Sequence, residues 1–173
     1  MNLDPVSEFS LACVSALIVE DENLVAMDVE NLLREFGAAR VWSTGRLSEA
    51  RRILSANAGI SIVLLDLKLQ DGCGEALLGE LALANVPVIV TTGYANFASA
   101  LAPVIYKPYS TQNLLDNILE TLRLTGHQRR AGEPCNEASL MSERRCHSRA
   151  VAPAHPTETR RRRATPRSGC RTL

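Results

Sequence analysis

Asp66 closes the apolar run Ile62-Val63-Leu64-Leu65, and the acids Glu20 and Asp21 close a second run, Ala16-Leu17-Ile18-Val19. A buried carboxylate is costly unless it is paired, hydrogen-bonded or metal-bound, so these acids are expected just beyond the ends of buried segments, where the chain meets solvent. Three carboxylates gathered at one point repel each other, and a hard divalent cation with oxygen ligands, such as Mg²⁺, keeps them ionised. Mg²⁺ meets one or two carboxylates together with phosphate oxygens. A phosphoryl group is therefore the natural visitor, either on a substrate or on a carboxylate acting as nucleophile. Two further features suit that chemistry. Thr91-Thr92-Gly93 offers a hydroxyl beside open backbone, and Lys107 offers a point cation for phosphate oxygens. Lys107 precedes Pro108, a bond able to take the cis form in a tight turn.

The elements that must position these residues follow from periodicity. Both apolar runs are continuous rather than alternating, as strands covered on both faces of a parallel sheet read. Val25, Val29, Leu32 and Phe36 then mark one face of a helix that Gly37 stops. Val41-Trp42 gives a short second strand, and Leu47, Ala50 and Leu54 a second helix ending near Asn57-Ala58-Gly59. Ser61–Asp66 is the third strand. Asp71-Gly72-Cys73-Gly74 is a turn cluster, followed by a helix carrying Leu77, Leu78 and Leu81 and a fourth strand over Val86–Thr91. Gly93 to Pro103 has room for at most about two helical turns before the fifth strand, Val104-Ile105-Tyr106. The last helix opens at Ser110 or Thr111, runs through Leu115, Ile118 and Leu122, and stops near Gly126. Alternating strands and helices predict an α/β fold: a flavodoxin-like three-layer sandwich of five strand-helix units with a shortened fourth helix. Its parallel sheet has the order 2-1-3-4-5. That order makes strands one and three neighbours and brings Glu20, Asp21 and Asp66 together.

The formal net charge of zero hides an asymmetry. Residues 1–126 carry 8 Lys/Arg against 15 Asp/Glu, and residues 127–173 carry 11 against 4. We expect an N-terminal extension over 1–13, one domain over 14–126, and a basic, disordered tail over 127–173 with runs such as Arg160–Arg163. Charge runs of this kind are usually solvated; weak contact with a polyanion is the alternative, and no pattern for specific nucleic-acid readout is present. The five cysteines are widely spread, odd in number and without a CxxC pair, and read as reduced thiols. Cys135, Cys146, His147 and His155 match no common zinc spacing. No apolar stretch is long enough for a membrane span and the N-terminus lacks a basic secretory pattern, so a soluble cytoplasmic protein is expected.

Taken together, Val19-Glu20-Asp21, Leu64-Leu65-Asp66 with Asp71-Gly72 after it, Thr92-Gly93, and Lys107-Pro108 resemble the receiver domain of bacterial two-component response regulators, over about residues 14–126. The resemblance implies a non-enzymatic phosphoacceptor domain. In it Asp66 takes phosphate from a sensor histidine kinase, and Mg²⁺ is held by Glu20, Asp21, Asp66 and the backbone carbonyl of Lys68. It also implies that Thr92 senses the phosphoryl group and that Lys107 pairs with it. Two departures stand out: Val104 lies three residues before the lysine, where many receivers carry an aromatic switch, and Gln70 replaces a frequent proline. Thr91-Thr92-Gly93-Tyr94 with a short fourth helix resembles the alphaproteobacterial single-domain subgroup with a Phe-Ala-Thr-Gly-Tyr-like motif, whose expected donors are kinases of the histidine-tryptophan-glutamate type. The expected role is a stand-alone regulator that signals to a downstream protein or drains phosphate, with no output domain. The alternative is a phosphorylation-independent pseudo-receiver. A small phosphatase using Asp66 ranks last, because position 68 is Lys where a second acid would stand.

Overall fold

A computed structural model describes residues 11–126. Residues 1–10 of the expected extension, the basic tail and the Cys135, Cys146, His147 and His155 grouping lie outside the described residues. The elements in chain order are β1 (Ser15–Val19), α1 (Asn23–Glu35), β2 (Arg40–Thr44), α2 (Leu47–Ala56), β3 (Ile62–Asp66), β4 (Lys68–Leu69), β5 (Gly72–Cys73), α3 (Glu75–Leu83), β6 (Val88–Thr92), β7 (Val104–Tyr106) and α4 (Thr111–Leu124). Strands β4 and β5 form a small antiparallel ribbon, and the other five form one parallel sheet in the order β2-β1-β3-β6-β7. With the ribbon set aside, this is the 2-1-3-4-5 order the sequence predicts.

Side-chain alternation divides the core into two layers. Ala16 and Ile18 of β1, Ile62 and Leu64 of β3, and Ile105 of β7 pack with α1 and α4, whereas Leu17 and Val19, Val63 and Leu65, and Val90 pack with α2 and α3. The central strands β1 and β3 read as unbroken apolar runs because both of their faces are covered. Helix ends follow their residues. After α1, Gly37 (φ 85°) lets its own N–H reach the Arg34 carbonyl at 3.0 Å and the Ala38 N–H reach the Leu33 carbonyl at 2.9 Å. Asn85 (φ 53°) closes α3 in the same way. Ser110 caps α4, its hydroxyl accepting from the Asn113 N–H at 3.1 Å.

Two expectations change. The stunted fourth helix is absent: residues 93–103 join β6 to β7 without any helical element. Tyr94 and Leu101 stay exposed, so the segment buries no apolar stripe that would repay helix nucleation. Cys73 is free and exposed as expected, but Cys13 is disulfide-bonded. Which thiols meet is set by the tertiary path and not by their spacing in sequence.

Candidate functional site

The parity that sorts the core also assembles the site. Glu20 follows β1 in phase with Ala16 and Ile18, Asp66 ends β3 in phase with Ile62 and Leu64, and Lys107 follows β7 in phase with Ile105. All three therefore continue the face shared with α1 and α4, at the carboxyl edge of the sheet. Lys107 Nζ donates to Glu20 Oε2 at 2.6 Å and to Asp66 Oδ2 at 2.7 Å. Glu20 and Asp66 are buried, at 5% and 6% relative exposure, so the acids do not simply project into solvent as the sequence suggested. The ammonium supplies part of the compensation that burial requires. The second carboxylate oxygens face backbone donors: the Glu22 N–H reaches Glu20 Oε1 at 3.3 Å and the Lys68 N–H reaches Asp66 Oδ1 at 3.1 Å.

One oxygen from each of Glu20, Asp21 and Asp66 lies within 4.8 Å of the other two. Three carboxylates beside one ammonium leave a local charge of −2, which a single divalent cation would cancel, and an all-oxygen donor set suits Mg²⁺. The residues present fit that ion. Burial pushes the Glu20 carboxyl above its usual pKa, outweighing the hydrogen bond and charge of Lys107, and Asp66 adds to the rise. For Lys107 burial works against the charged form, yet its bonds to Asp66 and Glu20 prevail and raise its pKa.

Thr92 ends β6, fully buried, one position beyond Thr91, which pairs with Asp66 in the ladder. Its hydroxyl accepts from the Tyr94 N–H at 3.1 Å, and its carbonyl accepts from the Lys107 N–H at 2.8 Å. The Lys107-Pro108 bond is cis. Tyr106, beside Lys107 on β7, is partly exposed, whereas Val104 packs with the α2/α3 layer.

Three supporting residues escaped sequence reasoning. Asp71 was legible only as a turn acid, but it caps α2 from a distant loop. Its carboxylate accepts from the Leu47 N–H at 2.7 Å, the Ser48 N–H at 3.0 Å and the Ser48 hydroxyl at 2.9 Å. These bonds, the Ser48 amide first, lower its pKa to about 2. Arg46, the residue before α2, provides no side-chain cap of its own. At Gly74 a Cβ would stand 2.5 Å from the Asp66 carbonyl oxygen, so only glycine lets α3 start against the end of β3. At Gly45 a Cβ would stand 3.1 Å from Asp21 Cα, so glycine also lets the turn after β2 close on the acid pair. The turn clusters hinted at the first two; nothing in the sequence marked Gly45.

The family model for the response regulator receiver domain matches residues 16–119. The phyllosphere-induced regulator PhyR of Methylorubrum extorquens is 33% identical over 113 residues, covering 61% of this chain and 42% of that protein. The transcriptional regulatory protein PdtaR of Mycobacterium tuberculosis is 31% identical over 111 residues, covering 59% of this chain and 53% of that protein. The chain thus spans about half the length of the curated relatives it matches. Among solved structures, the receiver domain of Erythrobacter litoralis PhyR aligns with a TM-score of 0.58 at 23% identity, over 72% of this chain and 96% of that one. SdrG of Sphingomonas melonis aligns with a TM-score of 0.53 at 25% identity, over 64% of this chain and 98% of that one.

Proposed function

The chain belongs to the response regulator receiver domain family, and on that premise we propose that it is a single-domain regulator of a phosphorelay, phosphorylated on Asp66 by a sensor histidine kinase. The observation that carries this reading is Lys107 bridging Glu20 and Asp66 beside Asp21, at the carboxyl edge of β1, β3 and β7. Asp66 Oδ2, once Lys107 releases it, attacks the phosphorus of a phosphohistidine. The P–N bond breaks, the imidazole leaves with a proton from solvent, and an acyl phosphate remains on Asp66.

The residues have separable tasks. The Lys68 N–H orients one Asp66 oxygen. Lys107 moves from Asp66 Oδ2 to a phosphoryl oxygen, and the Thr92 side chain rotates to carry its hydroxyl to another, away from the Tyr94 N–H. Glu20, Asp21, Asp66 and the Lys68 carbonyl would hold Mg²⁺, which supplies charge neutralisation for the phosphoryl oxygens. Phosphoryl transfer needs alignment and charge compensation more than further covalent chemistry, and these groups provide both.

The output is contact with a downstream protein, or removal of phosphate from the kinase. The sequence Thr91-Thr92-Gly93-Tyr94 and the helix-free connection after it support placement in the single-domain subgroup. We place the protein in the cytoplasm, where a reducing environment would open the Cys13 disulfide. No described helix is long and apolar enough to cross a membrane. The domain is assigned to residues 14–126, with the basic tail appended.

Incubation with a phosphorylated histidine kinase, or with acetyl phosphate and Mg²⁺, tests the acceptor. Wild type should take up label in an alkali-labile form and Asp66→Asn should take up none; equal labelling of the variant would remove Asp66 from the role. A Mg²⁺ titration followed by Trp42 fluorescence and amide shifts at residues 20, 21 and 66 separates this reading from the pseudo-receiver, for which the site stays silent.

A further inference from the structure

The connection between β6 and β7 has no helix to hold it, yet hydrogen bonds close it into a ring. The Tyr94 N–H donates to the Thr92 hydroxyl at 3.1 Å, the Phe97 N–H to the Tyr94 carbonyl at 3.1 Å, and the Tyr106 hydroxyl to the Phe97 carbonyl at 2.7 Å. The ring closes where the Lys107 N–H meets the Thr92 carbonyl at 2.8 Å and Thr92 stands in register with Tyr106. Phe97 packs against the α2/α3 layer beside Val104. Of the bonds in this ring, two use side chains: Thr92 at the buried end, and Tyr106 at 46% relative exposure.

From this circuit we infer that Tyr106 is a positioning residue that fixes segment 93–103 through its hydroxyl and makes that segment responsive to Thr92. Val104 has no hydroxyl and packs inward, so it cannot make this tie. The inference rests on the proposed phosphorylation of Asp66, because that event would draw the Thr92 hydroxyl away. Once Thr92 turns, the Tyr94 amide loses its acceptor, and the Tyr106 bond is the side-chain hydrogen bond of the ring left, beside the packing of Phe97, to hold residues 94–97 in place. The signal then leaves the buried site through a side chain that already touches solvent. The tie is a neutral hydrogen bond, whose net contribution corresponds to roughly a two- to tenfold change in a local opening equilibrium.

Amide hydrogen exchange on the full chain tests this, comparing wild type with Tyr106→Phe, each with and without acetyl phosphate and Mg²⁺, while label on Asp66 is measured in parallel. Without phosphodonor, Tyr106→Phe should speed exchange over residues 94–101 about fivefold and leave the β1 and β3 amides unchanged. With phosphodonor, wild type should change exchange in that segment, whereas Tyr106→Phe should stay at its fast level although Asp66 is labelled equally. Wild-type exchange in the unphosphorylated variant would overturn the tie. An identical response to phosphorylation in both proteins would overturn the coupling. Absence of label from wild type would instead overturn the receiver reading and the coupling with it, while the unphosphorylated comparison still decides the tie.

Discussion

Lys107 holds together two acids that are buried more deeply than itself. Its side chain is 22% exposed, against 4% for Glu20 and 9% for Asp66. Removing one partner of such a cluster leaves like charges facing each other in a poorly solvated site. Lys107→Met should therefore lower stability without Mg²⁺ by on the order of 2 kcal/mol, less than for a fully buried pair because Lys107 reaches solvent. Urea unfolding followed by Trp42 fluorescence measures the loss, and an unchanged midpoint would contradict the pairing. Glu20 makes the opposite case. Burial disfavours its charge even with Lys107 present, so Glu20→Gln should raise the metal-free melting midpoint at pH 7 and remove most of the stabilisation that Mg²⁺ gives wild type. The acids and the lysine were legible because each follows an apolar run. The resting-state bond between Lys107 and Glu20 was not legible, since 87 residues separate them and only the sheet order joins them.

At the scale of elements, the loop after β3 and the start of α2 form one unit through Asp71. The depressed Asp71 pKa fixes the sign of a pH effect: a carboxyl that ionises more readily when folded stabilises the fold above its unfolded pKa, near 3.8, and loses that contribution as pH falls toward about 2. Asp71→Asn should lower the melting midpoint at neutral pH and flatten its decline between pH 4 and pH 2. Thermal melts across that range decide it, and parallel curves for the two proteins would show that the α2 cap contributes nothing. Helix-to-strand alternation gave the element types because apolar periodicity is local, and Gly37 and Gly126 marked helix ends for the same reason. Asp71 as the cap of α2 was hidden, because the partners lie 24 residues apart in sequence. The helix-free path after β6 was hidden as well, because eleven residues carry too little periodicity to separate a short helix from a chain held by Thr92 and Tyr106.

Across the whole molecule, two apolar layers share one sheet, and neither is complete without it. Leu33 of α1 and Leu77 of α3 are almost fully buried on opposite faces. Leu33→Ala and Leu77→Ala should each cost about 2–5 kcal/mol. Each variant should still unfold in a single transition, seen alike by Trp42 fluorescence and far-UV circular dichroism. Separate transitions would mean that the layers melt independently. The charge contrast between residues 1–126 and 127–173 was legible from composition, which says nothing about how the two parts meet. The phase of side-chain alternation carries the last consequence, one for how such a chain can change over generations. Glu20, Asp66 and Lys107 share a face because each keeps step with its strand, so loops between strands can gain or lose residues while the site survives. A single residue inserted within β3 would instead swing position 66 to the α2/α3 side. Length variation among relatives should therefore gather in the connections and avoid β1, β3 and β7.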